Sequence, residues 1–288
     1  MILLVKEYDS VAWDLHYTLL RTRGDIPVIS LESSPNLPED VTSIWSALYK
    51  ACLNDKPTPL HINNLPLPLD YEVERVDGRF LIKTINSVVG EVIISEPTIE
   101  RIVSEIHWFS EKGSVFKKDY YNEYGFMYKS SSFIGGFGLA GSQFYSRDGK
   151  LLATWNHQTD SVVVGRKIFP TLSEFYLYCL KELGYKDEGI VFNNLGDPLQ
   201  IIISKSKQES NISENILVFS ERVSKLPENL NYILSHPELN TVVTVGGFDG
   251  AKDLCKDGVG SFKFLSPRYE SIQSKTSNDI VITTETDN

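Results

Sequence analysis

The stretch that decides the fold is Val73-Glu-Arg-Val-Asp-Gly-Arg-Phe-Leu-Ile82, where two short alternating segments flank Asp77-Gly78. An Asp-Gly pair between alternating apolar residues is a strong signal for a β-hairpin. Downstream, short alternating segments continue as far as Val162 to Val164, and they are divided by turn signals at Asn86, Lys112-Gly113, Asp148-Gly149 and Thr159-Asp160. The repeated pattern predicts an antiparallel β-meander between residues 71 and 168.

Aromatic residues concentrate in this meander. Thirteen of the 32 in the chain lie between residues 101 and 155, more than twice the number that an even spread would give. A sheet that packs one aromatic-rich face on its own core would explain them. A sheet face presented to a partner would also explain them, because aromatic residues are enriched in the cores of interfaces. The two interpretations are compatible, since a sheet has two faces.

The segments on either side of the meander alternate between strand and helix patterns. Before it, Ile2 to Val5 predicts a buried strand, and Asp9 or Ser10 begins a helix that ends at Gly24. A strand at 26–31 and a helix at 41–53 follow. After the meander, the patterns predict a helix from Thr171 to Gly184, a short helix at 251–255, a helix begun by Pro227, and strands at 190–192, 199–203, 216–219, 241–245 and 261–265.

This order predicts an α/β fold in which a Rossmann-like domain is interrupted by an inserted antiparallel β-meander domain. The α/β domain is discontinuous and comprises residues 1–65 and 169–270, while the meander domain comprises residues 66–168. Pro57, Pro59, Pro66 and Pro68 mark the boundary, because closely spaced prolines block the continuation of helix and sheet.

Composition and charge exclude several classes of protein. The net charge of −10 and the absence of an extended Lys/Arg cluster argue against a nucleic-acid-binding protein. The longest apolar run, Phe175 to Leu180, is far shorter than a membrane span, and residues 1–30 lack the order of a signal peptide. Cys52, Cys179 and Cys255 form neither a disulfide framework nor a metal pair, which favours a reducing, cytoplasmic location.

Two glycine-rich stretches are the candidates for a ligand-binding loop. Gly136-Phe-Gly-Leu-Ala-Gly141 has the dinucleotide-binding pattern, but a strand and turn follow it where a helix is needed, so a hairpin loop is favoured. Gly246-Gly247-Phe-Asp-Gly250 follows a strand and precedes a short helix, and it remains open between a phosphate or sugar contact and a plain turn.

Catalytic and metal-binding motifs are absent from the sequence. The five histidines, His16, His61, His107, His157 and His236, have no metal-binding spacing, and structural roles are expected for them. No nucleophile elbow, P-loop or catalytic cysteine motif is found. The residues therefore argue against an enzyme, and no cofactor or metal is predicted.

Seven blocks of sequence, spread in order over most of residues 1–195, resemble one family. They are Trp13-Asp-Leu-His-Tyr-Thr-Leu-Leu20, Leu37-Pro-Glu-Asp40, Asn64-Leu-Pro-Leu-Pro68, Ile106-His-Trp-Phe-Ser-Glu-Lys-Gly113, Asp119-Tyr-Tyr-Asn-Glu-Tyr-Gly125, Leu172-Ser-Glu-Phe-Tyr-Leu-Tyr178 and Ile190-Val-Phe-Asn-Asn-Leu195. The chain resembles the subunits of the accessory-Sec O-glycosyltransferase of Gram-positive bacteria, and the non-catalytic stabilising subunit more than the catalytic one. The resemblance implies that the α/β domain is a GT-B type N-terminal lobe.

Three features depart from the family pattern. Tyr120 stands where a basic residue is common, and residues 130–141 form an enlarged loop. Family members also continue into a second Rossmann-like domain, whereas this sequence ends at Asn288. Residues 271–288, with Asp279-Ile-Val-Ile-Thr-Thr284, are therefore predicted to be the start of a truncated second lobe or a tail.

The resemblance implies a protein that transfers no sugar itself. It would bind a catalytic glycosyltransferase that moves N-acetylglucosamine from its UDP form to Ser/Thr of a serine-rich repeat adhesin, and it would hold the adhesin polypeptide. Such a protein acts in the cytoplasm, with a peripheral position on the inner face of the cell membrane as an option. An active GT-B glycosyltransferase fragment and a free-standing glycan- or peptide-binding module remain as alternatives.

The resemblance also suggests candidate site residues. Asn193 and Asn194 follow a strand at the edge where α/β ligands gather, and together with Gly246 and Gly247 they are the candidates for substrate binding. The candidates for the partner interface, all within the meander, are Trp108, Tyr121, Asn122 and Tyr124.

Overall fold

The structure is a computed structural model that describes residues 1–34, 37–49, 58–135, 138–208, 215–219, 241–245, 262–265 and 280–283. The chain divides into two compact units, Met1–Ser33 with Leu37–Ala47 and Tyr176–Asn288, and Ser34–Asn36 with Leu48–Phe175. None of the helices in the described ranges is long and apolar enough to cross a membrane.

Eighteen strands and three α-helices lie within the described ranges. The strands, numbered β1 to β18, are Ile2–Val5, Val28–Ser30, Val41–Ser43, Glu72–Val76, Arg79–Lys83, Val88–Ile94, Val103–Phe109, Val115–Tyr121, Met127–Ile134, Gly138–Tyr145, Leu151–Asn156, Ser161–Val164, Lys167–Phe169, Ile190–Phe192, Asn215–Phe219, Thr241–Val245, Phe262–Leu265 and Ile280–Thr283. The helices are Ser10–Arg23 (α1), Leu172–Glu182 (α2) and Asp197–Gln208 (α3). Single 3-10 turns lie at Ile44–Leu48, Ile62–Asn64 and Thr98–Glu100.

The first unit is built on a six-stranded parallel sheet with the strand order β16-β15-β14-β1-β2-β3. All four residues of β1 are buried, as its continuous apolar sequence predicts. Asp9 caps α1 by accepting a 2.9 Å hydrogen bond from the Ala12 amide, and Gly24 ends the helix with a φ of 85°. The predicted strands at the start of the chain and at 190–192, 216–219 and 241–245 are confirmed in this sheet. The predicted strand at 261–265 is also found, as β17, but it lies in a separate two-stranded sheet.

The predicted helix at 41–53 is wrong over its described part. Residues Val41–Ser43 form strand β3 instead, followed by the 3-10 turn. The Ser43 hydroxyl donates to the Glu32 carbonyl at 2.6 Å, and the buried Trp45 indole donates to the Leu31 carbonyl at 3.1 Å. These bonds tie the segment to the end of β2, a long-range pairing that the local apolar spacing of Trp45 and Leu48 does not reveal.

The predicted strand at 199–203 is also wrong, because these residues lie in α3. Three consecutive isoleucines favour a strand by propensity, but Asp197 and Pro198 are suited to the first turn of a helix. Leu199, Ile201 and Ile202 are buried, so burial of this apolar run overrides the preference of β-branched residues. Strand β18, within the predicted start of a second lobe, pairs in parallel with β17. The predicted helices at 227 and 251–255 lie outside the described residues.

The second unit contains a ten-stranded antiparallel sheet in which β4 to β13 follow one another in chain order. The predicted meander is thus confirmed, and each of its five predicted turn signals lies between two consecutive strands, while other connections, such as those at 95–102 and 122–126, had no predicted signal. At the first predicted signal Asp77 and Gly78 both have positive φ values, 50° and 83°, as a tight hairpin turn requires. Residues 138–141 of the glycine-rich stretch belong to β10, and residues 130–134 belong to β9. The predicted hairpin loop at 136–141 and the enlarged loop at 130–141 are therefore wrong over most of their described residues, because both segments are paired in the sheet; residues 136 and 137 are not described.

Each face of this sheet is defined by a row of neighbouring residues. Face A carries the row Phe80, Val92, Ile106, Asp119, Ser130, Gln143, Thr154 and Val163, which crosses β5 to β12. Face B carries the row Glu105, Tyr120, Lys129, Phe144, Ala153 and Val164, which crosses β7 to β12. In the half formed by β4 to β8 the apolar residues of the row lie on face A, whereas in the half formed by β9 to β13 they lie on face B.

Candidate partner and substrate sites

The apolar core of the β4–β8 half lies on face A and is covered by the segment that precedes β4. Its buried members are Ile62, Ile82, Val92, Val103, Ile106 and Tyr121. Leu60, Leu65 and Leu67 of the preceding segment, together with Trp108 and Met127, pack against it. Two of the four predicted interface residues, Trp108 and Tyr121, therefore belong to one apolar cluster.

Trp108 is held in place by a buried carboxylate. Its indole Nε1 donates to Asp119 Oδ2 at 2.7 Å, and Lys117 Nζ donates to the same oxygen at 2.9 Å. A Cβ at Gly90 would come within 2.7 Å of the His107 carbonyl but would lie at an ordinary 3.5 Å from the Trp108 ring, so the glycine allows the close approach of the β7 backbone beside the indole. Asp119 is only 4% exposed, and its Oδ1 has no hydrogen-bond partner among the residues that the structure describes. The carboxylate thus fixes the orientation of the tryptophan.

The other predicted interface residues form the turn between β8 and β9. Asn122 is buried, and its Oδ1 accepts hydrogen bonds from the amides of Tyr124 at 3.1 Å and Phe126 at 3.3 Å. Gly125 has a φ of 79°, and a Cβ there would lie 2.4 Å from the Thr58 carbonyl. Burial, and secondarily the charge of Asp119, raises the pKa of Tyr121 to about 12, so this phenol stays protonated. Asn122 and Tyr121 shape the turn, while Tyr124 and Trp108 are half-buried.

On face B, a line of hydrogen bonds joins side chains that the sequence did not single out as a site. Ser131 Oγ and Ser142 Oγ are 2.9 Å apart, and Ser142 Oγ is 3.0 Å from His157 Nε2. Burial and the charge of Lys129 lower the pKa of His157 to about 4, so the imidazole is neutral at pH 7. Burial also lowers the pKa of Lys129, whose ammonium lies 4.9 Å from the centre of the Tyr120 ring.

A serine within reach of a histidine is the geometry of an activated nucleophile. Ser142, however, is 1% exposed, so a substrate could not reach its hydroxyl. The described residues also contain no group of three His, Cys, Asp or Glu side chains that could hold a metal ion. The hydrogen bonds among Ser131, Ser142 and His157 on face B instead satisfy the polar groups of these side chains inside the sheet.

The carboxyl edge of the parallel sheet contains Asn193 and Asn194, which directly follow β14. The chain moves outward from β1 in one direction through β2 and β3, and in the other through β14 and β15, so the strand order reverses between β1 and β14. This is the topological switch point, where ligands of open α/β sheets bind. The Asn194 carboxamide oxygen accepts a 2.7 Å bond from the Gly196 amide, and both asparagines are half-buried. Gly246 and Gly247 lie outside the described residues.

Residues that follow β1 form a set of hydrogen bonds with α1 and with the residues after β2. The Tyr8 hydroxyl lies 2.7 Å from His16 Nδ1, and the Tyr8 amide donates to Glu32 at 3.2 Å. His16 is buried and lies 3.8 Å from the Asp40 carboxylate. His16 therefore has the hydrogen-bonded position that was expected of a structural histidine.

Several known proteins are similar to this chain in sequence. Residues 71–170 match the family described as the GtfB middle domain. The UDP-N-acetylglucosamine–peptide N-acetylglucosaminyltransferase stabilizing protein GtfB of Streptococcus parasanguinis is 25% identical over 240 residues, which are 82% of this chain and 53% of that protein. The protein of the same name from Streptococcus gordonii is 25% identical over 254 residues, 85% of this chain and 55% of that protein.

Solved structures of the GtfA/B complex and of GtfA have a fold similar to that of this chain. A chain of the crystal structure of the GtfA/B complex bound to UDP and GlcNAc matches with a TM-score of 0.73 and 22% identity, over 93% of this chain and 64% of that chain. The pneumococcal O-GlcNAc transferase GtfA in complex with UDP and GlcNAc matches with a TM-score of 0.61 and 12% identity, over 98% of this chain and 60% of that chain.

The resemblance to the stabilising subunits is thereby confirmed: the chain is a homologue of proteins named GtfB. It spans about half the length of the curated relatives that it matches, 53% and 55% in the two cases above.

Proposed function

We propose that this chain acts as a non-catalytic stabilising subunit of a peptide N-acetylglucosaminyltransferase that O-glycosylates a serine-rich repeat adhesin. The observation that carries the proposal is the match of residues 71–170 to the GtfB middle domain, within a chain whose relatives are named stabilizing proteins of that transferase. The parallel sheet is then the N-terminal lobe of a GT-B-like architecture, and residues 66–168 are an inserted domain.

The meander is the contact with the catalytic subunit in this proposal, and Trp108, Tyr121, Asn122 and Tyr124 belong to that contact. Tyr121 and Asn122 support it from within, since they are buried, and Trp108 and Tyr124 are the members with exposed surface. The interaction takes place in the cytoplasm, and attachment to the inner face of the cell membrane would come through the complex.

The experiment is co-purification of the whole chain with a tagged GtfA-type transferase. A complex that survives size-exclusion chromatography, together with a higher yield of soluble transferase, is the expected result. The chain alone should not hydrolyse UDP-GlcNAc. If the isolated chain hydrolysed UDP-GlcNAc, its role would be catalytic and not stabilising. If the chain were folded but did not bind the transferase, a free-standing binding module would be the better assignment.

We further propose that Asn193 and Asn194, with Gly246 and Gly247, contact the adhesin polypeptide. Carboxamides donate and accept hydrogen bonds, so they suit the backbone and hydroxyl groups of a serine-rich chain. Binding of a fluorescent serine-rich repeat peptide should weaken in Asn193→Ala, whereas Gln200→Ala, at an exposed position of α3, should bind like the wild type. Equal affinity of both variants would remove these asparagines from the site.

A further inference from the structure

Helix α1 presents two stacked aromatic rings and an arginine to solvent. Trp13 and Tyr17, four residues apart, are 53% and 43% exposed, and their rings stack with centroids 5.5 Å apart and planes inclined by 5°. The Arg21 guanidinium, four residues further on, lies 4.3 Å from the centre of the Tyr17 ring and donates to the Tyr17 hydroxyl at 3.0 Å. Indole, phenol and guanidinium follow one another along the helix, and we call these three side chains the α1 column.

The α1 column takes no part in the core of its unit. The helix packs on the parallel sheet through Ala12, Leu15 and Leu19, which lie on another side of α1. Arg21 covers one end of the column, whereas no described ring or cation covers the outer face of the Trp13 indole. Because stacking already holds the indole in place, a ligand on this open face would have little side-chain freedom to remove.

Three carboxylates lie around the open end of the column. Asp9 precedes Trp13 by four residues, Asp14 follows it directly, and Glu7 lies in the loop before α1. All three are exposed, and none forms an ion pair with a residue that the structure describes. Side chains of a helix lean towards its N-terminus, so the indole extends over the turn that begins at Asp9. Residues 6–20 contain one lysine and three carboxylates, so the surroundings of the indole are anionic.

An anionic aromatic surface favours a cation as its ligand. The face of an indole attracts a guanidinium or an ammonium more strongly than other aromatic rings do, and nearby carboxylates add charge-assisted hydrogen bonds. Arg21 already takes this position on Tyr17, and a planar guanidinium can stack on a ring while its N–H groups bind a carboxylate. The N-terminus of the helix opposes a cation, but its cap Asp9 offsets that partial charge. Anionic lipid is disfavoured, because helices that bind it carry basic residues beside their apolar ones.

We propose that the α1 column receives an arginine side chain from a basic segment of a partner polypeptide. The guanidinium stacks on the outer face of Trp13 and pairs with the carboxylates of Asp9 and Asp14. The exposed parts of the two rings amount to roughly 200 Å², far below the ~800 Å² that one partner contributes to a standard interface. The column therefore fits one or two side chains of a short extended segment. This site is separate from the meander and from the contact with the transferase proposed above.

The probe is a ten-residue peptide of alternating serine and arginine, compared with peptides in which glutamine or glutamate replaces arginine. Fluorescence anisotropy of the labelled peptide gives its affinity for the whole chain. The indole N–H signals of the four tryptophans locate the site by NMR, with the Trp13 signal assigned by its loss in W13F and the buried Trp45 as reference. The variants are W13A, W13F, which keeps an aromatic ring, and E7Q/D14N. The control is F116A, which removes an aromatic ring of the meander that is 46% exposed, and circular dichroism melting checks that each variant is folded.

The arginine peptide is expected to bind and to shift the Trp13 signal but not the Trp45 signal. Its affinity should fall by on the order of tenfold in W13A and by about threefold in E7Q/D14N. W13F should bind more tightly than W13A, and F116A should bind like the wild type.

Three results would overturn the proposal: no binding of the arginine peptide, equal affinity for the glutamine peptide, or wild-type affinity in W13A. A dimer of the chain that W13A dissociates would assign the column to a second copy and would overturn it as well. Co-purification with the transferase is expected to be unchanged in W13A, so each of these results leaves the proposed function intact.

Discussion

The two halves of the ten-stranded sheet are built as opposites. In the β4–β8 half, face A is apolar and covered by the segment containing Leu60 and Ile62. Face B of that half carries charged groups, among them Glu91, paired with Arg79, and Glu105, whose carboxylate lies 2.7 Å from His107 Nε2. In the β9–β13 half, face B holds the buried Phe144 and Val162, and face A is open and uncharged.

This difference allows a long sheet to be stable and still keep a surface for a partner. Each half buries one face, which supplies the burial that a sheet requires. The charged face of the β4–β8 half resists association, because exposed charged groups such as Arg79 would lose hydration if an apolar partner covered them. The uncharged open face of the β9–β13 half has no such protection, and a partner that covers it gains apolar burial without separating any ion pair.

The largest expected effects come from the two cores. Ile106→Ala should lower the free energy of unfolding by about 2–5 kcal/mol and Phe144→Ala by about 3–5 kcal/mol. The two residues lie on opposite faces and three strands apart, about 14 Å, so the double variant should show a coupling energy below about 0.5 kcal/mol. Chemical denaturation of the single and double variants measures it. A coupling above about 1 kcal/mol would mean that the halves share one core.

A smaller effect separates two glycines that lie in the same row of face A, one in each half. A Cβ at Gly90 would meet the His107 carbonyl at 2.7 Å, whereas a Cβ at Gly141 would meet the Trp155 carbonyl at 3.2 Å. Because the first clash needs a backbone shift beneath Trp108, Gly90→Ala should cost about 3 kcal/mol and Gly141→Ala less than about 1 kcal/mol. Thermal unfolding of the pair measures the difference. Equal costs would show that face A is packed alike in both halves.

Much of this architecture could be predicted from local sequence. Asp77-Gly78 and the later turn signals set the hairpins, and the apolar run Ile2–Val5 set a buried parallel strand, because turn chemistry and side-chain alternation are local properties. Strand β3 and helix α3 could not be predicted in this way. Val41 is drawn into the sheet by pairing with Val28, and the isoleucines of α3 are helical because one of its faces is buried.

The sites were less predictable than the fold. The placement of Asn193 after a strand followed from the sequence, but the switch point beside β1 required the strand order. The bond between Trp108 and Asp119 joins residues on neighbouring strands whose register shifts between Trp108 and Phe109. Such an irregularity has no local sequence signal. By contrast, the low number of charged residues in β9 to β13, which contain only Lys129 and Lys167, can be read directly from the sequence.

An intermediate effect is expected at the carboxylate that fixes Trp108. Asp119→Asn replaces the acceptor shared by the Trp108 indole and Lys117 and should lower stability by about 1–3 kcal/mol. It also removes one of the two causes that raise the pKa of Tyr121, so that pKa should fall below about 12. Denaturation and ultraviolet titration of tyrosinate measure the two effects. The control is Glu123→Gln, which changes an exposed carboxylate near Tyr121 in the sequence. If the pKa of Tyr121 stayed at about 12 in Asp119→Asn, the charge of Asp119 would not be a cause of its rise.

The smallest effect is a pH dependence confined to the β9–β13 half. Burial and Lys129 lower the pKa of His157 to about 4, with a weaker opposing effect of Asp160. As the pH falls from 6.5 towards 4, the unfolded chain takes up a proton at His157 that the folded chain does not, so stability is lost on acidification. Between pH 7 and pH 5 the wild type should lose about 1 kcal/mol more than His157→Gln, a value reduced because the ring is partly solvated.

The variant Ser142→Ala separates the two candidate causes of this pH dependence. It removes the 3.0 Å hydrogen bond to His157 but leaves the imidazole buried beside Lys129. Because burial and charge, rather than that bond, lower the pKa, Ser142→Ala should be less stable at every pH and keep the wild-type slope with pH. Denaturation midpoints at several pH values give the slope for each variant. If the stability of Ser142→Ala did not change with pH, the pH dependence would be assigned to the hydrogen bonds among Ser131, Ser142 and His157. If the stability of His157→Gln still fell steeply with pH, the titrating group would lie outside this half of the sheet.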